Sequence, residues 1–247
     1  MKMFYFKKQF ALENVEYLNL VLASPEHLVE LRDRLFQFFL VAGSIFLSLF
    51  LSLNIISDYV LRLIPEIQFF QLSPQDFFLS TLWVTFNFVF LFSFPHFLKS
   101  LVFFFSPSLI LKEKKNIFPL IFLSLGLSLM AIYFSSSILA PVTFRFFLDY
   151  NFNNIEPFWS FTDFSAFLLK LMYITLLLFQ LPLLQIFVHL VGILRVEKMM
   201  EGWKFVLCLA FLIGGVATPS TDPFTQFLLS TVIYLLYGTG IFFAKFL

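Results

Sequence analysis

The chain has 247 residues, of which 60% are hydrophobic, 21% aromatic and only 13% charged. Soluble domains carry about 25% charged residues, so this composition excludes a water-soluble globule and implies an integral membrane protein. Its 16 Lys+Arg nearly cancel 15 Asp+Glu, leaving a net charge of +1 and excluding a bulk electrostatic partner such as nucleic acid.

Met1 to Tyr17 contains no long apolar core with a small-residue cleavage site, so no cleaved signal peptide is expected. It also lacks the Arg/Ser-rich character of a transit peptide. Ser24-Pro25-Glu26 then supplies a cap, a first-turn proline and an early acid, the start of a helix. In the segment that follows, Leu28, Leu31 and Leu35 recur at helical spacing, and Glu30 precedes Arg34 by four residues, the favourable order for a surface pair. A short amphipathic helix over 25–35 is expected, lying on a membrane and feeding into the first span. Pattern alone leaves open whether it is only an anchor.

A helix needs about 20 apolar residues to cross a hydrocarbon core of about 30 Å. Six runs qualify: about 36–57, 77–105, 117–141, 164–190, 203–218 and 224–244. Their apolar character is continuous rather than alternating, which predicts an all-α polytopic protein and not a barrel. Helix-start signals agree: Ser73-Pro74-Gln75-Asp76 before the second run, Ser160-Phe161-Thr162-Asp163 before the fourth and Asp222-Pro223 before the sixth. Basic residues collect in the N-terminal tail, in the loop holding Lys112, Lys114 and Lys115, and around Arg195 and Lys198. The opposite loops hold mostly acids, so both termini are expected on the cis, cytoplasm-equivalent side. The fifth run covers only about 22–24 Å at 1.5 Å per residue, which implies local thinning of the bilayer or lateral association. No internal repeat is visible, which argues against an inverted-repeat transporter.

Polar residues in or beside such runs are the functional candidates, because each costs free energy in lipid. Glu30 among Arg32 and Arg34, and Glu113 among lysines, either neutralise their neighbours or form a pair of carboxylates for an arginine-bearing ligand. Pro95 is expected to kink the second span, Pro107 to stop it, and His96 to be a hydrogen-bonded core residue. Gln180-Leu181-Pro182, with Gln185, is either interhelical glue or a patch for a partner helix. Thr218-Pro219-Ser220-Thr221-Asp222-Pro223-Phe224-Thr225-Gln226 reads as a tight trans-side turn able to present Thr, Asp and Gln to another helix. Lys170, inside the fourth run, is expected to snorkel to the trans interface, with Asp163 or Glu156 as counter-charges. The lone Cys208 permits no intrachain disulfide and reads as a small buried hydrophobe. His27, His96 and His189 share no ligand spacing, and neither a nucleophile triad nor a phosphate loop is present. No catalytic residue, metal or cofactor is expected.

Five blocks together resemble the TatC family, the core subunit of the twin-arginine protein translocase. They are His27-Leu28-x-Glu30-Leu31-Arg32-x-Arg34-Leu35; Ser73-Pro74 with Phe77-Phe78; Phe104-x-x-Pro107-x-Leu109-x-x-x-Glu113; Phe179-Gln180-x-Pro182; and the Thr218–Gln226 turn. The resemblance implies six transmembrane helices in a concave, glove-like bundle with both ends cis, in one domain. It implies a receptor and not an enzyme: twin-arginine signal peptides of folded cargo bind at Glu30 and Glu113, with Arg32 and Phe104 close by. Gln180, Thr218, Asp222 and Gln226 would meet single-span TatA-like and TatB-like subunits, Pro95, Pro107, Pro182 and Pro219 would shape the helices, and translocation would draw on the proton-motive force. Self-association is also expected. Ile155-Glu156-Pro157-Phe158-Trp159-Ser160-Phe161 and the Ser-Thr insertion in the last turn resemble cyanobacterial and plastid-encoded members. They point first to a plastid thylakoid membrane, then to a mitochondrial inner membrane, then to a bacterial plasma membrane. Gln180 departs from the glutamate of many bacterial relatives, and Leu176 from a common glycine. The competing reading is a structural membrane subunit of an organellar respiratory or photosynthetic complex that keeps the fold.

Overall fold

The computed structural model describes residues 25–64, 67–71, 73–105, 117–150, 158–190, 192–217 and 223–246. Helix α1 (Pro25–Phe50) is uninterrupted, so the amphipathic segment 25–35 and the apolar run behind it are one continuous rod. The rod ends in a tight turn where Ser52 N donates to Leu49 O at 3.0 Å, and α2 (Leu53–Arg62) follows at once. The first expected run is therefore divided between two helices.

Next come β1 (Gln68–Phe70) and α3 (Asp76–Phe105), whose start follows its sequence signal. Asp76 accepts from the Ser73 hydroxyl at 2.6 Å and from the Ser73 N–H at 2.7 Å. Helix α4 (Ile117–Phe134) passes through a π-helical turn (Ser135–Leu139) into α5 (Ala140–Tyr150). Pro141 explains the widened turn: it has no N–H to donate, and its ring crowds the carbonyl four residues back. The Ser135 and Ser136 hydroxyls donate to Ile132 O at 3.0 and 2.9 Å at the same place. Strand β2 (Phe158–Ser160) leads into α6 (Phe161–Leu178), then α7 (Leu181–Leu190), α8 (Val196–Glu201), α9 (Trp203–Ala217) and α10 (Pro223–Phe246).

One feature departs from the all-helical expectation. β1 and β2 pair in parallel, with Gln68 opposite Phe158 and Phe70 opposite Ser160. Three-residue strands are below what periodicity reveals. The ladder joins the segments entering α3 and α6, so those helices start on the same face of the bundle. Ser160 also departs from its expected role, since its side chain makes no cap bond. The neighbouring Thr162 hydroxyl instead meets the Ser80 hydroxyl of α3 at 2.7 Å.

Five stretches are long and apolar enough to cross a membrane: Val29–Phe50, Asp76–Phe103, Pro119–Tyr150, Phe161–Leu190 and Pro223–Phe246. Trp203–Val216 is apolar but shorter, and 15-residue α9 reaches only about 22 Å. The protein is thus a multi-pass membrane protein. Its core lies where α3, α6 and the π-turn meet, around Val84, Leu91, Leu139, Leu168, Leu171 and Leu176. Hydroxyls buried there are satisfied by their own helices: Thr85 donates to Thr81 O at 2.8 Å, Thr143 to Leu139 O at 2.7 Å and Thr175 to Leu171 O at 2.8 Å. This is why small polar residues are tolerated at the centre. Phe36, Phe39, Phe122, Phe205 and Phe242 face outward, as lipid-facing side chains do.

Candidate functional site

Helix α1 packs on α3 along a narrow seam, with Phe38 edge-on to Phe97 at 5.7 Å between ring centroids. At the N-terminal end of that seam, Glu30 forms an ion pair with Arg34 one turn later, as the spacing predicts. Arg34 is the better enclosed partner, 20% exposed against 38% for Glu30. Its Nη1 also donates to Ser100 O of α3 at 3.1 Å, and its guanidinium lies 5.9 Å from the Phe103 ring centroid. The arginine is thereby tied to a second helix by a charge-assisted bond and a cation–π contact. An apolar groove of about 220 Å³ adjoins it, lined by Leu31, Leu35, Phe38, Phe97 and Leu101.

The neighbouring arginine behaves differently. Arg32 is 74% exposed and pairs with Asp33 at 2.9 Å, an exposed contact of little energetic weight. Glu30 is therefore oriented by Arg34, not by Arg32. A half-exposed carboxylate beside an apolar groove can receive a guanidinium and bury the apolar residues that follow it. Phe104 is in the last turn of α3, but its side chain, like Pro107 and Glu113, lies outside the described residues. Arg34, Ser100 and Phe103 are additions to the site expected from sequence. The Glu30–Arg34 spacing signalled the first; the other two depend on how α1 meets α3, which no local pattern encodes.

The second candidate region lies where α6 gives way to α7. Pro182 cannot donate to Leu178 O, and the chain turns at Phe179 and Gln180 before resuming as helix. Gln180, 8% exposed, donates from Nε2 to Ser128 Oγ of α4 at 3.0 Å. Its Oε1 and both polar side-chain atoms of Gln185 are buried without a hydrogen-bond partner among the described residues. Gln185 is pressed against Gly240 of α10, where an added Cβ would overlap Gln185 Oε1 and come within 2.9 Å of Pro182 Cα. Gln226 of α10 donates to Phe211 O of α9 at 3.0 Å. A Cβ at Gly214 would sit 2.6 Å from Ser230 Oγ, so glycine is what lets these helices approach. Thr218, Pro219 and Asp222 lie outside the described residues.

Pro95 is inside an uninterrupted α3. His96 Nε2 is buried with no hydrogen-bond partner among the described residues. Cys208 is exposed on α9 and is not the buried hydrophobe expected, because α9 touches the bundle mainly through the face turned to α10. Among the described residues, no group of His, Cys, Asp or Glu could hold a metal ion.

The family model for the Sec-independent protein translocase protein TatC matches residues 26–231. The chain belongs to the TatC family. Its relatives include the TatC-like protein ycf43 of Trieres chinensis, 39% identical over 92% of this chain and 86% of that one. The chloroplastic Sec-independent protein translocase protein TATC of Oryza sativa is 34% identical over 89% of this chain and 62% of its own length. The crystal structure of the twin-arginine translocase receptor TatC in DDM superposes with a TM-score of 0.72. It covers 88% of this chain and 99% of that one at 27% identity. The TatC match begins one residue into α1, and so takes in Glu30, Arg34 and the groove against α3 as well as the Gln180 region.

Proposed function

We propose that this TatC-family chain is the receptor subunit of a twin-arginine translocase and that its signal-peptide site is the cis end of the α1–α3 seam. The observation that carries the reading is the position of Glu30: half-exposed, beside an apolar groove, and already holding one guanidinium, that of Arg34. A carboxylate that accepts an internal arginine can accept an incoming one, and a paired-arginine peptide offers two against Glu30 and Glu113. Arg32, two residues after Glu30, and Phe104, nine residues before Glu113, would border the bound peptide. The apolar stretch that follows the arginines would lie along Leu31, Leu35 and Phe38.

On this reading both termini are cis, the six helices form a concave bundle, and the chain performs no reaction of its own. Thr218, Asp222 and Gln226 face single-span TatA-like and TatB-like subunits, while Gln180, buried and bonded to Ser128, supports that region from within the bundle, and the proton-motive force drives transport. The plastid thylakoid is the proposed membrane, in keeping with chloroplastic and cyanobacterial relatives. Crosslinking to a twin-arginine signal peptide in native membranes tests the site. Glu30→Gln and Glu113→Gln should each reduce the crosslinked fraction by about tenfold, the loss of one charge-assisted pair. Wild-type yields from both variants would remove the carboxylates from the site.

A further inference from the structure

We infer that the aromatic hollow at the start of α6 binds a quaternary ammonium group, with Asp163 as its counter-charge. The hollow has a volume of about 350 Å³, within the range of about 300–1,000 Å³ usual for small-molecule sites. Four elements build its walls. The paired strands bring up Phe70, Phe158 and Trp159, α5 contributes Phe144, and α6 contributes Phe164 and Asp163. Phe144 and Phe164 are buried with ring centroids 4.5 Å apart, and Trp159 lies 5.5 Å from Phe144. Phe70 and Phe158 are exposed beside them. Aromatic faces attract a cation through the ring quadrupole, and quaternary ammonium groups are held in this way.

Charge selects the ligand. The Asp163 carboxylate makes no hydrogen bond or ion pair with any described residue, and neither does the Ser160 hydroxyl beside it. No lysine or arginine lines the hollow, and residues 151–157, between α5 and β2, include none. The negative charge is left for a cation from outside the chain. Two polar groups are too few for a basic side chain, since an ammonium carries three donors and a guanidinium five. A trimethylammonium has no donor to satisfy and presents only methyl groups to the rings. An acid in the first turn of a helix also favours the helix start, but that role needs no aromatic walls. The ladder leads into the start of α3, whereas Arg34 grips Ser100 near its other end. The inference therefore stands or falls separately from signal-peptide binding.

The test titrates the purified full chain in maltoside micelles with choline and with dimethylbutanol, its neutral carbon isostere, read by saturation-transfer NMR. Choline should bind about tenfold more tightly than the isostere. Asp163→Asn and Trp159→Leu should each weaken choline binding about tenfold, with helix content unchanged by circular dichroism. Equal binding of choline and dimethylbutanol to the wild-type chain would overturn the inference with no variant needed. So would undiminished choline binding in Asp163→Asn. Methylguanidinium binding as tightly as choline would overturn it too, the hollow then being a seat for a basic side chain. Nanodiscs separate the two sources of the group. A lipid headgroup as ligand abolishes choline binding in phosphatidylcholine discs but not in phosphatidylglycerol discs, whereas a soluble cation binds in both.

Discussion

Arg34 illustrates how one side chain can fix the direction of a proposed binding residue. It is tied to Glu30, to Ser100 O and to the Phe103 ring, so Glu30 is fixed in direction while its charge is shared. An incoming arginine must compete with Arg34 for the carboxylate. Arg34→Gln is expected to raise crosslinking of a twin-arginine peptide while costing about 0.3–0.5 kcal/mol of stability, the usual weight of such a helical pair. A fall in crosslinking, with the helix bundle intact by circular dichroism, would mean that Arg34 positions Glu30 and does not occupy it. The pair itself was legible from the spacing of residues 30 and 34. The grip on α3 was not, since Ser100 and Phe103 are more than 60 residues away in the chain. Cys208 shows the same limit: an apolar run looks alike on all sides in sequence, and only the packing of α9 decides which side chains face lipid.

Among the elements, close contacts between helices rest on a few small residues. Gly240 of α10 admits Gln185 and the Pro182 backbone of α7. Gly240→Ala should therefore destabilise the bundle by about 1–3 kcal/mol in thermal unfolding, as overpacking does. Adding Gln185→Ala should restore only part of this, because Pro182 Cα, 2.9 Å from the new Cβ, is backbone and cannot move aside. Full restoration would place the whole strain on the glutamine. The helix starts were unevenly readable. Ser73 and Asp76 pair as their spacing suggests, the Ser73 N–H and hydroxyl both donating to the Asp76 carboxylate. Ser160 does not cap α6, because the segment before it is drawn into the ladder with β1. A tertiary pairing overrode a local signal.

For the whole molecule, composition and continuous apolar runs were sufficient to read an all-helical, multi-pass membrane protein, and five motif blocks sufficed for the TatC family. What they left open is how the helices cross the bilayer. Surface labelling of single cysteines in a Cys208→Ser background addresses this. Cysteines at Lys112 and Glu197 should react with an impermeant reagent from one side, and those at Glu66 and Glu156 from the other. Labelling of positions 112 and 66 from the same side would contradict the cis placement of both termini.

The central claim is that the α1–α3 end recognises paired guanidinium groups, and lysine cannot replace them because it lacks the planar fork. The most direct measurement is the affinity of the purified chain for a signal peptide bearing Arg-Arg against the same peptide bearing Lys-Lys. The twin-arginine peptide should bind about tenfold more tightly or better, and Glu30→Gln should erase the difference. Equal affinity for the two peptides would contradict the account.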